Sequence, residues 1–98
     1  MNESGTPLIA REGRWEVGAP LTMDSAAAMM EASEQMPLPT EGIVDMTRVE
    51  AVDSAGVAIM LAWKRRAVAE GRTLAFANVP AALSSLAELY GVEDLLTH

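Results

Sequence analysis

Val44-Asp45-Met46-Thr47-Arg48-Val49-Glu50-Ala51-Val52-Asp53-Ser54-Ala55-Gly56 is the stretch on which the reading of this chain turns. Ile43 to Met46 is apolar apart from Asp45, as a central strand covered on at least one face requires. A short polar turn follows. Asp53 or Ser54 then suits the N-cap of a helix that runs to about Glu70, because a side-chain oxygen there satisfies amides that the first turn leaves unbonded. Strand, turn and hydroxyl at a helix start make an α/β unit with a modifiable group on a rigid element. Asp45 has two readings: it accepts the amides of the turn after the strand, or it shapes the polar surface around Ser54.

The helix after Asp53 carries two apolar stripes. At about 100° per residue, Val57, Met60, Leu61, Ala67 and Val68 share the face expected to pack on the sheet. Ala55, Ile59, Ala62 and Trp63 fall on another side, beside Arg66. Burying both stripes in a small domain is difficult, so the second is expected to meet a partner. On that reading Trp63→Glu leaves the fold intact and abolishes binding. Lys64 sits within the core face, where its stem packs and its ammonium reaches out. Gly71 suits the residue after the helix.

Upstream, residues 7–10 and 14–17 flank Arg11-Glu12-Gly13 and read as a hairpin. Trp15 and Val17 share one face, with Arg14 and Glu16 on the other. Trp15 reads as core packing in preference to a ligand platform. Thr22 or Asp24 is expected to cap a helix over residues 25–36, rich in Ala, Met and Glu. The clustered Met23, Met29, Met30 and Met36 read as core or semi-core, with a soft recognition surface as the alternative. Pro37-Leu38-Pro39 stops that helix. Downstream, residues 72–77 read as a strand, with Leu74 and Phe76 on one face. A last helix starts near Pro80 and buries Leu83, Leu86, Ala87 and Tyr90, and residues 92–96 form a short closing segment.

Composition narrows the function. The chain has 98 residues, half of them hydrophobic, and a formal net charge of -7. One folded domain is expected, with no general affinity for nucleic acid or an anionic membrane surface. There is no cysteine, and the one histidine is His98, so thiolate chemistry and histidine-based metal sites lack their residues. The glycines have no dinucleotide-binding or phosphate-loop spacing. Ser54 has no histidine or lysine base in view, and the carboxylates form no acid/base pair. The expectation is a non-enzyme with no cofactor and no metal. Residues 1–5 carry no signal-peptide pattern, and the longest apolar run, residues 55–63, is far short of a membrane span. A cytoplasmic location without direct membrane insertion follows as an expectation. Ser54 keeps one reaction, as the substrate of a kinase, because a phosphate at a helix N-terminus meets free amides.

The element order ββαβαβα, with Val44-Asp45-Met46-Thr47 leading into Val52-Asp53-Ser54-Ala55-Gly56-Val57, resembles the STAS-domain family over nearly the whole chain. That resemblance implies one α/β domain with a mixed sheet of about four strands and three main helices. The family includes bacterial anti-sigma factor antagonists and the small STAS subunit (MlaB-like) of the Mla phospholipid-transport ABC complex. Shortness and the ending Leu86-Ala87-Glu88-Leu89-Tyr90-Gly91-Val92 resemble the Mla branch. There the resemblance implies that the region from Asp53 along the following helix docks on the ABC transporter ATPase subunit, with a peripheral place at the inner membrane through that complex. Taken with the second stripe, the expected docking residues are Asp53, Ser54, Ala55, Ile59, Ala62, Trp63 and Arg66. In the antagonist branch, Ser54 is the phosphorylation site and the partner is an anti-sigma factor kinase. The Mla subunits commonly have threonine where this chain has Ser54, and an apolar residue is expected where it has Lys64, so both partners stay open.

Overall fold

The structure, a computed structural model, describes residues 7–97; residues 1–5 and His98, on which two expectations above rest, lie outside that range. Leu8–Arg11 (β1) and Arg14–Val17 (β2) form the hairpin, pairing antiparallel with Leu8 opposite Val17 and Ala10 opposite Trp15. Gly13 turns the chain with φ +80°, a conformation that a side chain disfavours. Ile43–Asp45 (β3) pairs parallel with β2, and Ala75–Ala77 (β4) pairs parallel with β3. The sheet order is therefore β1-β2-β3-β4.

Parallel neighbours need crossovers, and the helices supply them. Ala26–Glu34 (α1) joins β2 to β3, and Ser54–Ala69 (α2) joins β3 to β4. Ala81–Leu89 (α3) and the short Glu93–Thr97 (α4) follow. Two right-handed crossovers that step along the sheet in one direction place both helices on the same face. The register agrees: Leu8, Trp15, Val17 and Val44 point to that face and are buried. On the opposite face Ile9, Glu16, Ile43 and Asp45 are half-buried, Arg11 and Arg14 are exposed, and Arg11 pairs with Glu16 at 3.3 Å. The molecule is a two-layer α/β fold with a four-stranded mixed sheet, as the sequence implies.

Some boundaries differ from expectation for visible reasons. Neither Thr22 nor Asp24 caps α1. Residues 22–25 form a turn in which the Thr22 amide donates to Ser25 Oγ at 3.1 Å, and the Ser25 hydroxyl donates to the Pro20 carbonyl. The strand expected over residues 72–77 is regular only from Ala75. Arg72 turns back instead, its amide bonding the Ala67 carbonyl at 2.8 Å and its guanidinium the Pro39 carbonyl at 2.8 Å. On α3, Leu83 and Ala87 are buried, but Tyr90 is 51% exposed where a buried position was expected. It stands at the C-cap, where the helix has ended and its stripe no longer faces the core.

Candidate functional site

Each residue of Asp53-Ser54-Ala55-Gly56 has a separate physical task. Asp53 is the N-cap of α2: Oδ1 accepts the Ala55 amide at 2.8 Å, and Oδ2 accepts the Met23 amide at 3.0 Å. One carboxylate thus fixes the start of α2 and ties it to the turn that precedes α1. A parallel bridge between Leu21 and Val52 reinforces the tie, with the Leu21 amide on the Ala51 carbonyl and the Asp53 amide on the Leu21 carbonyl. Ser54 is the first residue of α2 and is exposed. Gly56 is buried where α2 comes closest to its neighbours. A Cβ there would stand 3.0 Å from Leu83 Cδ1, 3.1 Å from the Leu21 carbonyl oxygen and 3.2 Å from Leu21 Cβ. The backbone contact cannot give way, so the glycine permits the packing.

Ala55 faces a groove of about 450 Å³ between α1 and the N-terminal half of α2. Met23, Ala26 and Met30 form one wall; Ser54, Ala55, Ala58, Ile59 and Ala62 form the other wall and the floor. The lining is almost wholly apolar. Met23 is 72% exposed, Ala58 is exposed, and Ala26, Met30, Ala55 and Ala62 are half-buried. Of the seven expected docking residues, Ser54, Ala55, Ile59 and Ala62 line this groove, and Asp53 fixes its end. Met23, Ala26, Met30 and Ala58 belong to it as well. The methionine cluster was the signal for the first wall; read mainly as core, it divides in the structure between fully buried Met29 and open Met23.

Trp63 and Arg66 are elsewhere. Trp63 is 1% exposed and packs edge-to-face on Trp15, with ring centroids 5.5 Å apart at 72°. Its indole nitrogen is buried and has no hydrogen-bond partner among the described residues. Ile59 is 3% exposed and touches the groove only as its floor. The expectation of an outward stripe reaching Trp63 is therefore corrected: α1 lies across it. The expectation that Trp63→Glu leaves the fold intact fails with it, since that change puts a carboxylate in the core.

Arg66 holds α1 in place. Its Nη1 donates to the Ser33 carbonyl at 2.8 Å, which also accepts the Met36 amide at 3.1 Å, and its Nη2 donates to the Met36 carbonyl at 2.7 Å, just past the end of α1. Its Nε donates to Glu70 Oε2 at 2.9 Å, and the guanidinium lies 5.9 Å from the centre of the Trp15 ring. The Trp15 indole N–H donates to the Pro37 carbonyl at 3.2 Å, just beyond α1. Arg66 and both tryptophans thus form a closed seam one turn beyond the groove.

The presumed core face is corrected too. Val57, Met60 and Ala67 are buried, but Leu61 is half-buried and Val68 is 76% exposed. With α1 on one flank, the buried arc of α2 centres on Gly56, Trp63 and Ala67. Lys64 keeps its stem half-buried and donates from Nζ to the Leu74 carbonyl at 2.7 Å, joining α2 to the residue before β4. Burial pulls its ammonium below the ordinary lysine range.

Asp45 settles on the first of its two readings. Its Oδ1 accepts the Thr47 hydroxyl at 2.5 Å, the Asn78 amide at 3.1 Å and the Thr47 backbone amide at 3.0 Å. The Thr47 hydroxyl, then the Asn78 amide, hold the carboxyl below the usual carboxylate range, with smaller help from the Thr47 amide and the charge of Arg14. These bonds lead to the ends of β3 and β4 and not to Ser54. Among the described residues no cluster of histidine, cysteine, aspartate or glutamate could hold a metal ion, and no helix is long and apolar enough to cross a membrane.

The family model described as Mlab, STAS domain matches residues 10–97. The chain belongs to the STAS-domain family and is MlaB-like. STAS domains serve in regulation and protein interaction and are generally not catalysts. No curated protein matches the chain.

Proposed function

We propose that the chain is a non-catalytic regulatory and assembly subunit that docks on the ATPase of a phospholipid-transporting ABC complex. The observation that carries the reading is the open apolar groove between α1 and α2, bordered by exposed Ser54 at the tip of α2. Solvated methionine and alanine in a preformed groove gain by burial against a second protein. The MlaB-like match is what directs the choice of partner. Through that partner the subunit is peripheral at the inner membrane on its cytoplasmic side.

Ala58 provides the test, because it is exposed on the groove wall. Ala58→Glu is expected to keep the fold while an ATPase and permease no longer co-purify with the chain. Recovery of a histidine-kinase-like protein in place of the transporter overturns the reading. That outcome supports an anti-sigma factor antagonist, which the exposed Ser54 hydroxyl in the first turn of α2 also favours. Ser54→Ala divides the two. A docking subunit tolerates loss of the hydroxyl, whereas a phospho-switch loses its off state and binds constitutively.

A further inference from the structure

We propose that the groove receives a short amphipathic helix of the partner whose basic end lies over Asp24 and Asp53. The inference rests on the docking role above and adds the chemistry of the docked element.

The walls argue for a helix. Both are helical apart from Met23, and Asp53 takes the Met23 and Ala55 amides, so the walls offer no ladder to an extended strand. An occupant must satisfy its own backbone and present only side chains, as a helix does. The α2 wall from Ser54 to Ala62 is about 12 Å long, two turns of a partner helix. Ala55, Ala58 and Ala62 let a backbone approach closely, and Met23 and Met30 adapt to the side chains it brings.

The charges argue for a basic end. The helices α1 and α2 run parallel: Asp53 ties their starts through the Met23 amide, and Arg66 ties the end of α1 to the later part of α2. The two segments that meet at the first end, residues 21–26 and 52–58, contain Asp24 and Asp53 and no lysine or arginine. Asp24 is exposed and Asp53 is half-buried. At the other end Arg66 pairs with Glu70 at 2.9 Å, so acid and base offset each other there. Amides at the start of α2 and in the turn before α1 take up the Asp53 carboxylate, which leaves Asp24 as the open charge at an end with no cationic side chain in either segment, on a chain of net charge -7. Such a field favours and steers a basic element, and salt screens it.

The test uses the full chain and two dye-labelled helical peptides of ~14 residues. Both carry the same leucines at i, i+3, i+4 and i+7, and they differ only in having lysines or glutamates at one end. Fluorescence anisotropy is expected to show the lysine peptide binding about ten-fold tighter in dilute buffer, with the gap closing at about 0.5 M salt. Asp24→Lys, at an exposed site, removes the preference, and Ala58→Glu removes binding of both peptides. Equal binding, a preference for the glutamate peptide, no binding by either, or lysine-peptide binding that survives Ala58→Glu each overturns the inference. If the peptides fail while Ala58→Glu still breaks co-purification of the ATPase, the docking reading stands without this one. If Ala58→Glu leaves co-purification intact, the docking reading falls.

Discussion

Along the flank of α2 that faces α1, two halves of one stripe have opposite fates. From Ala55 to Ala62 the side chains are small apart from Ile59 on the floor, Met30 of α1 and Met23 of the turn before it oppose them, and the gap stays open. At Trp63 and Arg66 they are large: Trp63 packs on Trp15 of the sheet, and Arg66 bonds the Ser33 carbonyl of α1 and the Met36 carbonyl just beyond it. The difference lies in side-chain size and bonding, since the helix is continuous through both. A continuous apolar stripe on a helical wheel is therefore not one surface. Where its residues are large enough to reach the next helix it becomes core, and where they are alanine it becomes a groove.

If the seam is structural and the groove functional, mutations should separate stability from binding. Trp63→Ala has the largest expected effect, about 3–5 kcal/mol, from lost burial and an unfilled cavity beside Trp15. Urea denaturation measures it; a loss below about 1 kcal/mol would mean that α1 collapses to refill the space. Arg66→Met keeps much of the stem but removes the charged hydrogen bonds to the Ser33 and Met36 carbonyls, the first of which keeps the Met36 amide, at a cost of about 2 kcal/mol. Amide exchange should show the last turn of α1 losing protection first. Asp53→Ala removes the α2 cap and the tie to Met23, about 1 kcal/mol by thermal unfolding, and should weaken docking by loosening the groove wall. An unchanged melting temperature with lost docking would instead make Asp53 a direct contact.

The smallest effect belongs to Asp45, remote from both halves. Its carboxyl titrates lower in the folded chain than in the unfolded one, so the unfolded chain binds more protons between the two values. Its contribution is complete above the ordinary carboxylate range and is lost as pH falls through the lowered folded value. Denaturation midpoints from neutral pH down to about 3 should fall less steeply for Asp45→Asn than for the parent.

The sequence made the strands and crossovers legible because their signals are local. Alternation in Arg14-Trp15-Glu16-Val17, the short apolar run at Ile43 and the cap at Asp53 all act over a few residues. Ser54, Ala55 and Ala62, expected on the docking side, border the open groove. What the wheel could not give was the flank on which α1 would lie. That depends on crossover handedness and on bonds between Arg66 and carbonyls 30 and 33 residues away. Hence Trp63 was expected outside and Val68 inside. Met29 and Met30 show the same limit: adjacent in sequence and alike in chemistry, one is sealed and the other lines the groove, separated by one 100° step of the helix.

The pairing of Trp15 with Trp63 gives the molecule an optical property of its own. These are the chain's two tryptophans, both at 1% exposure in a single edge-to-face pair. Tryptophan emission, excited to the red of Tyr90, therefore originates from one buried spot beneath the end of α1, one turn away from the groove. A peptide that settles between Met23 and Ala62 leaves that emission unchanged, while any event that lifts α1 admits water to the rings and shifts the spectrum to the red. An unlabelled sample can thus distinguish occupancy of the groove from opening of the seam.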